Sequence, residues 1–465
     1  MGGVPAVRSV YVCQQCGAES PKWSGQCPAC AAWNTLVETV AARPVATAAA
    51  RARARGAVAV GPGVVSPIGE VESAESGRLL SGIAEIDRVL GGGFVPGSIV
   101  LFGGDPGIGK STLLLQLAAR LAAAGHGALY VTGEESAAQV RARAERVDGV
   151  VEGLGLVATT ELETALGAIA ATTPALAVVD SVQTLTSADL GGPSGSVGQV
   201  REVATRLAEL AKGGTTCVAL VGHVTKEGTV AGPRTLEHLV DAVIYLEGER
   251  LGSTRLVRAA KNRFGSTDEV GVLEMRGDGL VEVADASRFF LESEQPPVSG
   301  SAVTIALEGS RPLAVEIQAL VAPAGAGSPR RATTGIDVNR VLMLIAVLAR
   351  HAGLNLTGHD VYVNVAGGLR IEEPASDLAV AAALASSLRE RAVRPGTVLA
   401  GELSLSGRLR PAGRADRRLA EARRIGFERL VTGPMRDEAQ RARPPDGLLS
   451  AVDLRAALTL ALSES

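Results

Sequence analysis

Gly104-Asp105-Pro106-Gly107-Ile108-Gly109-Lys110-Ser111, followed by Thr112, has the residue types a phosphate chain needs, at the spacing of a Walker A loop. Glycines let consecutive backbone N–H groups curl around an anion, and a helix opening behind them adds the positive end of its dipole. Lys110 would then reach the outer phosphates, with the Ser111 hydroxyl on Mg²⁺. Leu176-Ala177-Val178-Val179-Asp180 is an apolar run ending in an acid. At the carboxyl edge of a sheet, Asp180 could orient Mg²⁺ through water. Hydrolysis also needs a carboxylate to polarise the attacking water. In Gly133-Glu134-Glu135-Ser136, Glu134 is the first choice for that base and Glu135 its competitor. Either acid could instead simply favour the start of the helix behind it.

Cys13-x-x-Cys16 and Cys27-x-x-Cys30 are two knuckles separated by ten residues. Four thiolates so spaced can close a tetrahedral Zn²⁺ site in a segment too small to bury a core. A redox pair would need one such motif beside a βαβ pattern, which is absent here. Cys217 lies mid-strand and reads as packed core.

Those groups need a scaffold, and the pattern along the chain supplies one. A buried strand is expected over Ser98 to Phe102, a glycine-rich turn, then an Ala/Leu-rich helix through about Ala124. Further strands are expected at Ala128 to Thr132, Ala175 to Asp180, Thr216 to Gly222, Ala242 to Leu246 and Thr254 to Ala260, with helices at Ser136 to Arg146 and Gln199 to Ala211. This alternation implies an α/β domain with a mostly parallel sheet covered on both faces. Beyond Gln295-Pro296-Pro297 a second α/β domain is expected, with strands at Ala302 to Leu307, Leu313 to Leu320 and Val361 to Val365, and helices at Val338 to Arg350 and Ser376 to Arg389. The resulting plan is a finger over 1–40, a flexible Ala/Arg/Gly/Pro/Ser linker over 41–77, an ATPase domain over 78–295 and a rear domain over 296–465.

The 465 residues suit two or three domains, and 46% hydrophobic with 20% charged residues is ordinary for a globular protein. A net charge of −3 excludes a general polycation, so nucleic-acid binding would fall to local basic loops. Aromatics at 3% argue against extended base-stacking platforms. Met1 to Val10 lacks the apolar stretch of a signal peptide, and Val341 to Ala349 is too short to span a bilayer, so a cytoplasmic protein without membrane association is expected.

The stretch from about Leu79 to Val283 resembles the RecA-like ATPases. More specifically, the chain resembles the bacterial RadA (Sms) family of DNA repair and recombination proteins. It does so through the cysteine finger, the Walker A stretch, Tyr130-Val131-Thr132-Gly133-Glu134-Glu135-Ser136, Gly222-His223-Val224-Thr225-Lys226-Glu227-Gly228 and the pentapeptide Lys261-Asn262-Arg263-Phe264-Gly265. The resemblance implies ATP, Mg²⁺ and Zn²⁺ as cofactors, single-stranded and branched DNA and RecA as partners, and a hexameric ring. It further implies DNA-stimulated hydrolysis driving translocation and branch migration during the response to DNA damage. In such rings a pair like Lys261 and Arg263 crosses to a neighbour's γ-phosphate, in the role of an arginine finger. His223 stands at the sensor position of that phosphate. The Gly/Ser-rich loop from Thr184 to Val197 corresponds to a DNA-contacting loop, with Lys226 and Arg234 adding charge near a central pore.

From about Val298 the chain resembles the proteolytic domain of Lon, through Glu373-Pro374, Asp377-Leu378 and Gly401-Glu402-Leu403-Ser404-Leu405-Ser406-Gly407. Ala379 stands at the serine position of that resemblance and Asp416 at the lysine position; no lysine follows Lys261. A serine needs a base to attack, so a non-proteolytic domain is expected. Arg408, Arg410, Arg414, Arg417, Arg418, Arg423 and Arg424 could form a solvated helix face or a tract for duplex DNA. Two competing functions are an ATP-dependent Lon-like protease and a nucleotide-gated DNA-binding switch without motor activity.

Overall fold

A computed structural model describes residues 9–13, 18–40, 77–222, 236–248, 252–291, 298–325, 328–435 and 443–463. The expected linker over 41–77 lies almost wholly outside these, as do Cys16, His223, Lys226 and Arg234. The chain divides into two compact units. One comprises Met1–Glu247, Arg255–Thr267 and Leu273–Glu282; the other comprises Gly248–Thr254, Asp268–Val272 and Val283–Ser465.

At the front of the first unit, β1 (Ser9–Cys13) pairs antiparallel with β2 (Glu19–Ser20) and β3 (Leu36–Val40). Then comes α1 (Ala84–Leu90), and β4 (Ile99–Gly103) leads through the glycine loop into α2 (Lys110–Ala123). The chain continues as β5 (Ala128–Thr132), α3 (Ala137–Arg146), β6 (Leu154–Ala158), α4 (Leu162–Thr172), β7 (Leu176–Asp180), α5 (Val197–Lys212) and β8 (Cys217–Val221). It closes with β9 (Ala242–Glu247), β10 (Thr254–Asn262), β11 (Val270–Arg276) and β12 (Gly279–Glu282). Among the described residues these form a sheet of order β12-β11-β10-β9-β4-β8-β7-β5-β6. Its members from β9 to β6 run parallel, and β10 runs antiparallel to β9.

Strict alternation of strand residues builds two cores. Val100, Phe102, Tyr130, Val178 and Ala219 face α1, α2 and α3. Ile99, Leu101, Val131, Val179 and Leu220 face α4 and α5. Each fully buried aliphatic chain in such a core stabilises the fold by about 1.5–3 kcal/mol. Every residue of β4, β5, β7 and β8 is buried, as strands covered on both faces require.

In the second unit, α6 (Ala286–Phe289) precedes the hairpin β13 (Ser301–Glu308) and β14 (Arg311–Pro323). They are followed by β15 (Arg331–Thr334), α7 (Val338–Val347), β16 (His359–Val365), α8 (Asp377–Arg389), β17 (Thr397–Leu399), β18 (Gly401–Leu403), β19 (Leu409–Pro411) and α9 (Ala415–Arg424). The unit ends with β20 (Arg429–Thr432), β21 (Leu448–Ser450) and α10 (Leu454–Ala461). A mixed sheet of order β15-β16-β14-β13-β17-β20-β21 results. Helix α8 is buried from Asp377 to Ser386, and its alanines allow the close approach to β13 and β14. The helix expected through Arg350 widens into a π-helical turn at Leu348–Ala352. Two elements lie beyond those expected, β6 and α4: β6 is a five-residue run, Leu-Gly-Leu-Val-Ala, interrupted by Gly155, and α4 buries Leu162, Ala165 and Ile169 at helical spacing but carries Gly167 inside it.

Candidate active site

The glycine loop is held around its own lysine. Lys110, 4% exposed, donates through Nζ to the carbonyls of Gly104 at 2.7 Å and Asp105 at 3.0 Å. Gly104 has φ 143° and a Cβ there would collide with the Leu246 carbonyl; Gly109 has φ 112°, a conformation that strains any residue with a Cβ. Glycine is therefore required at both. Arg255, buried on β10, donates through Nε to the Ile108 carbonyl at 3.0 Å and anchors the tip of the loop. Burial lowers the Lys110 pKa, against the opposing charges of Asp180, Glu134 and Asp105. An ammonium desolvated in this way is a receptor for a polyphosphate, whose charge compensates the burial.

Asp180 closes β7 at 3% exposure. Its Oδ2 accepts from the Tyr130 hydroxyl at 2.5 Å, while its Oδ1 is buried without a hydrogen-bond partner. An unmatched oxygen on a carboxylate that is linked through the Tyr130 hydroxyl to the start of α2 fits the water shell of a divalent cation. The Tyr130 pKa is raised well above its ordinary value by burial and by Asp180, so the phenol stays a donor.

Thr132 pairs in register with Asp180, which brings the segment after β5 alongside the end of β7. At Gly133 a Cβ would collide with the Thr184 hydroxyl, so only glycine lets the chain pass there. Glu134 accepts a hydrogen bond from Ser181 Oγ and lies close enough to act on Lys110. Glu135 turns instead to Arg143, with which it forms a salt bridge. Ser136 caps α3 in a capping box with Gln139. The two adjacent acids thus separate, one toward the phosphate loop and one toward the helix.

The pentapeptide runs off the opposite edge of the sheet. Asn262 pairs with Ala242, the Arg263 N–H donates to the Asp241 carbonyl at 3.1 Å, and the Asp241 N–H donates to Ile99, the first residue of β4, at 2.9 Å. The turn is built by its polar and small members. Asn262 Oδ1 accepts from Phe264 N at 2.9 Å, Arg78 donates to the Phe264 carbonyl at 2.8 Å, and a Cβ on Gly265 would stand 3.0 Å from Gly91 Cα. Lys261 Nζ donates to the carbonyls of Glu237 at 2.6 Å and Val240 at 2.8 Å. Arg263 pairs with Asp241 at 3.2 Å, its side chain 55% exposed. Burial and the neighbouring Arg263 lower the Lys261 pKa.

The loop after β7 is pinned at its base. Gln199 accepts from Ser187 N at 2.8 Å and donates to the Leu190 carbonyl at 2.6 Å, leaving Gly191 to Ser194 exposed.

In the finger, the Sγ atoms of Cys13, Cys27 and Cys30 lie within 4.8 Å of one another, Cys13 to Cys30 at 3.7 Å. Zinc–sulfur bonds of about 2.3 Å would set tetrahedral S···S edges of about 3.8 Å, so these thiols fit zinc. Backbone hydrogen bonds from Cys30 and Ala29 lower the Cys27 pKa, as a thiolate ligand needs.

In the rear unit Ala379 is wholly buried within α8, Asp416 is exposed in the first turn of α9, and the Ser376 hydroxyl is bonded to the Glu373 carbonyl at 2.7 Å. No nucleophile–base pair assembles among them. The arginine run needs correction as a single exposed tract. Arg418 is fully buried against Glu373 and the Ile305 carbonyl, because its aliphatic stem packs inward on α9 while the guanidinium satisfies buried acceptors. Arg424 pairs with Asp285, Arg410 with Glu402 and Arg423 with Asp446. Sequence reasoning passed over Tyr130, Arg255 and the Arg418–Glu373 pair. A tyrosine or arginine inside an apolar strand was the available signal for the first two, whereas the charge-rich α9 offered none for Arg418.

Comparisons bear on each part. A family described as rubredoxin metal binding domain matches residues 11–38, one described as AAA domain matches 66–229, and one described as subunit ChlI of Mg-chelatase matches 334–435. The chain is 47% identical over 427 residues to the DNA repair protein RadA of Bacillus subtilis (strain 168), covering 91% of this chain and 92% of that relative. It is 46% identical over 426 residues to the RadA of Halalkalibacterium halodurans, covering 91% and 92%, and 46% identical over 436 residues to that of Listeria monocytogenes, covering 94% of each. Among solved structures it is similar to the KaiC-like protein PH0186 of Pyrococcus horikoshii at 22% identity and TM-score 0.38, over 44% of this chain and 99% of that one.

Proposed function

The chain belongs to the RadA family of DNA repair proteins, and from that premise we propose that it is a DNA-stimulated ATPase that translocates on DNA and drives branch migration together with RecA. Its fold class is a RecA-like P-loop core with a zinc finger in front and a Lon-like α/β domain behind. The proposed boundaries are a finger over 1–40, a linker over 41–77, the ATPase over 78–295 and the rear domain over 296–465.

In this reading the loop amides and Lys110 hold the phosphates, Ser111 and Asp180 hold Mg²⁺, and Glu134 orients water for attack on the γ-phosphorus. Mg²⁺ would neutralise charge on the phosphates. The water's proton passes toward Glu134 as the new P–O bond forms and the bridging oxygen leaves on the diphosphate. Lys261 and Arg263 act on the neighbouring subunit's nucleotide in a hexameric ring. DNA would contact the loop from Thr184 to Val197, and the protein would act in the cytoplasm. No helix among the described residues is long and apolar enough to cross a membrane.

The observation that supports this most is the convergence of Lys110, the partnerless Asp180 Oδ1 and Glu134 at one edge of the sheet. The test is ATP turnover with and without single-stranded DNA, for wild type and Lys110→Ala. Stimulation in wild type and loss of at least about 10²-fold in the variant are expected. Turnover indifferent to DNA would favour the switch over the motor, and retained turnover in Lys110→Ala would sink the site.

A further inference from the structure

We propose that Tyr130 is a positioning residue for the divalent cation, fixing the Asp180 carboxylate so that Oδ1 is the oxygen presented to the metal's water shell. The inference rests on the reading of the glycine loop as an ATP–Mg²⁺ site.

Tyr130 pairs with Val178 across β5 and β7. Val178 and Asp180 are two residues apart on one strand and share a face. The phenol therefore reaches along β7 to the carboxylate, ending 2.5 Å from Oδ2 and 3.5 Å from the Ser111 carbonyl at the start of α2. The ring is 1% exposed and belongs to the core beneath α2, so the hydroxyl has no other place to go. A terminal carboxylate torsion is broad and nearly two-fold. One fixed donor on one oxygen removes that freedom, and the other oxygen is left buried without a partner. An arrangement that served packing alone would not leave Oδ1 unmatched, since a buried bare carboxylate oxygen is costly. A cation with its water shell removes that cost.

Tyr130→Phe keeps the ring and deletes the donor. Three measurements on the full chain separate the outcomes: thermal unfolding, fluorescent ADP binding in EDTA, and Mn²⁺ binding with a non-hydrolysable ATP analogue, read from the free-ion EPR signal. The variant should stay folded at the assay temperature with a somewhat lower unfolding midpoint and bind nucleotide equally in EDTA, but hold Mn²⁺ about tenfold more weakly, as loss of an outer partner typically does. Excess Mg²⁺ should restore its turnover toward wild type. Mn²⁺ affinity within twofold of wild type overturns the proposal. So does an equal loss when Tyr130→Phe is placed on an Asp180→Ala background, because the effect would then not pass through Asp180. Wild type that binds no nucleotide sinks the underlying site instead.

Discussion

Arg263 and Lys110 stand at opposite ends of one strand. Arg263 is tied through Asp241 to Ile99 at the start of β4, and Lys110 follows the loop that leaves Gly103 at its end. The strand between spans about 13 Å. Within a single chain the pentapeptide and the phosphate loop face different edges of the sheet.

A contribution of the pentapeptide to hydrolysis is therefore expected only between subunits. Lys261→Ala should lower turnover by about 10³-fold. Mixing it with Lys110→Ala should recover activity from two inactive preparations, because some interfaces then hold an intact loop facing an intact pentapeptide. Absence of rescue at every mixing ratio would count against the trans role.

The split between the adjacent acids predicts unequal losses. Glu134→Gln should reduce kcat by about 10²-fold while nucleotide binding persists. Glu135→Gln should leave kcat within a few-fold, because its partner is Arg143 on α3. Equal losses in steady-state kinetics would mean that the assignment to Glu134 is wrong.

Metal analysis should find about one zinc per chain. After chelation the finger thiols should react with a disulfide reagent, Cys13 and Cys27 among them, buried as they now are. Cys217 should stay inert until the core is unfolded, since burial pushes its pKa up to about 12. With Mg²⁺ restored in excess, turnover without DNA should survive removal of the zinc. Finger thiols equally reactive before and after would rule out the metal.

In the rear unit the Arg424 guanidinium holds the Asp285 pKa down to about 2. A carboxyl depressed on folding adds stability that is complete above its ordinary range and is lost as pH falls from about 4 toward 2. Asp285→Asn keeps an acceptor for the Arg288 N–H but loses the ion pair. It should lower stability by about 1 kcal/mol at neutral pH, with the difference from wild type closing as pH falls through about 2. Denaturant midpoints across that range would show it, and a gap that stays constant with pH would refute it.

The phosphate loop, the cysteine knuckles, the pentapeptide and most strands of the first sheet were legible because each is local. Glycine spacing, Cys-x-x-Cys pairs and unbroken apolar runs carry their meaning within a few residues. Strand β6 was not legible because Gly155 interrupts its short apolar run. The arginine run was legible only in part, because local spacing cannot tell that Arg418 alone turns inward to Glu373, 45 positions away in sequence.

The residue types and their local spacing establish the kinds of chemistry available and the strand and turn that carry each. Which groups meet follows from the fold: Tyr130 with Asp180, Glu134 with Lys110, Arg255 with Ile108, and the pentapeptide on the edge away from the loop. A side chain's role depends on neighbours brought together by strand register and burial, and those pairings join residues up to 147 positions apart.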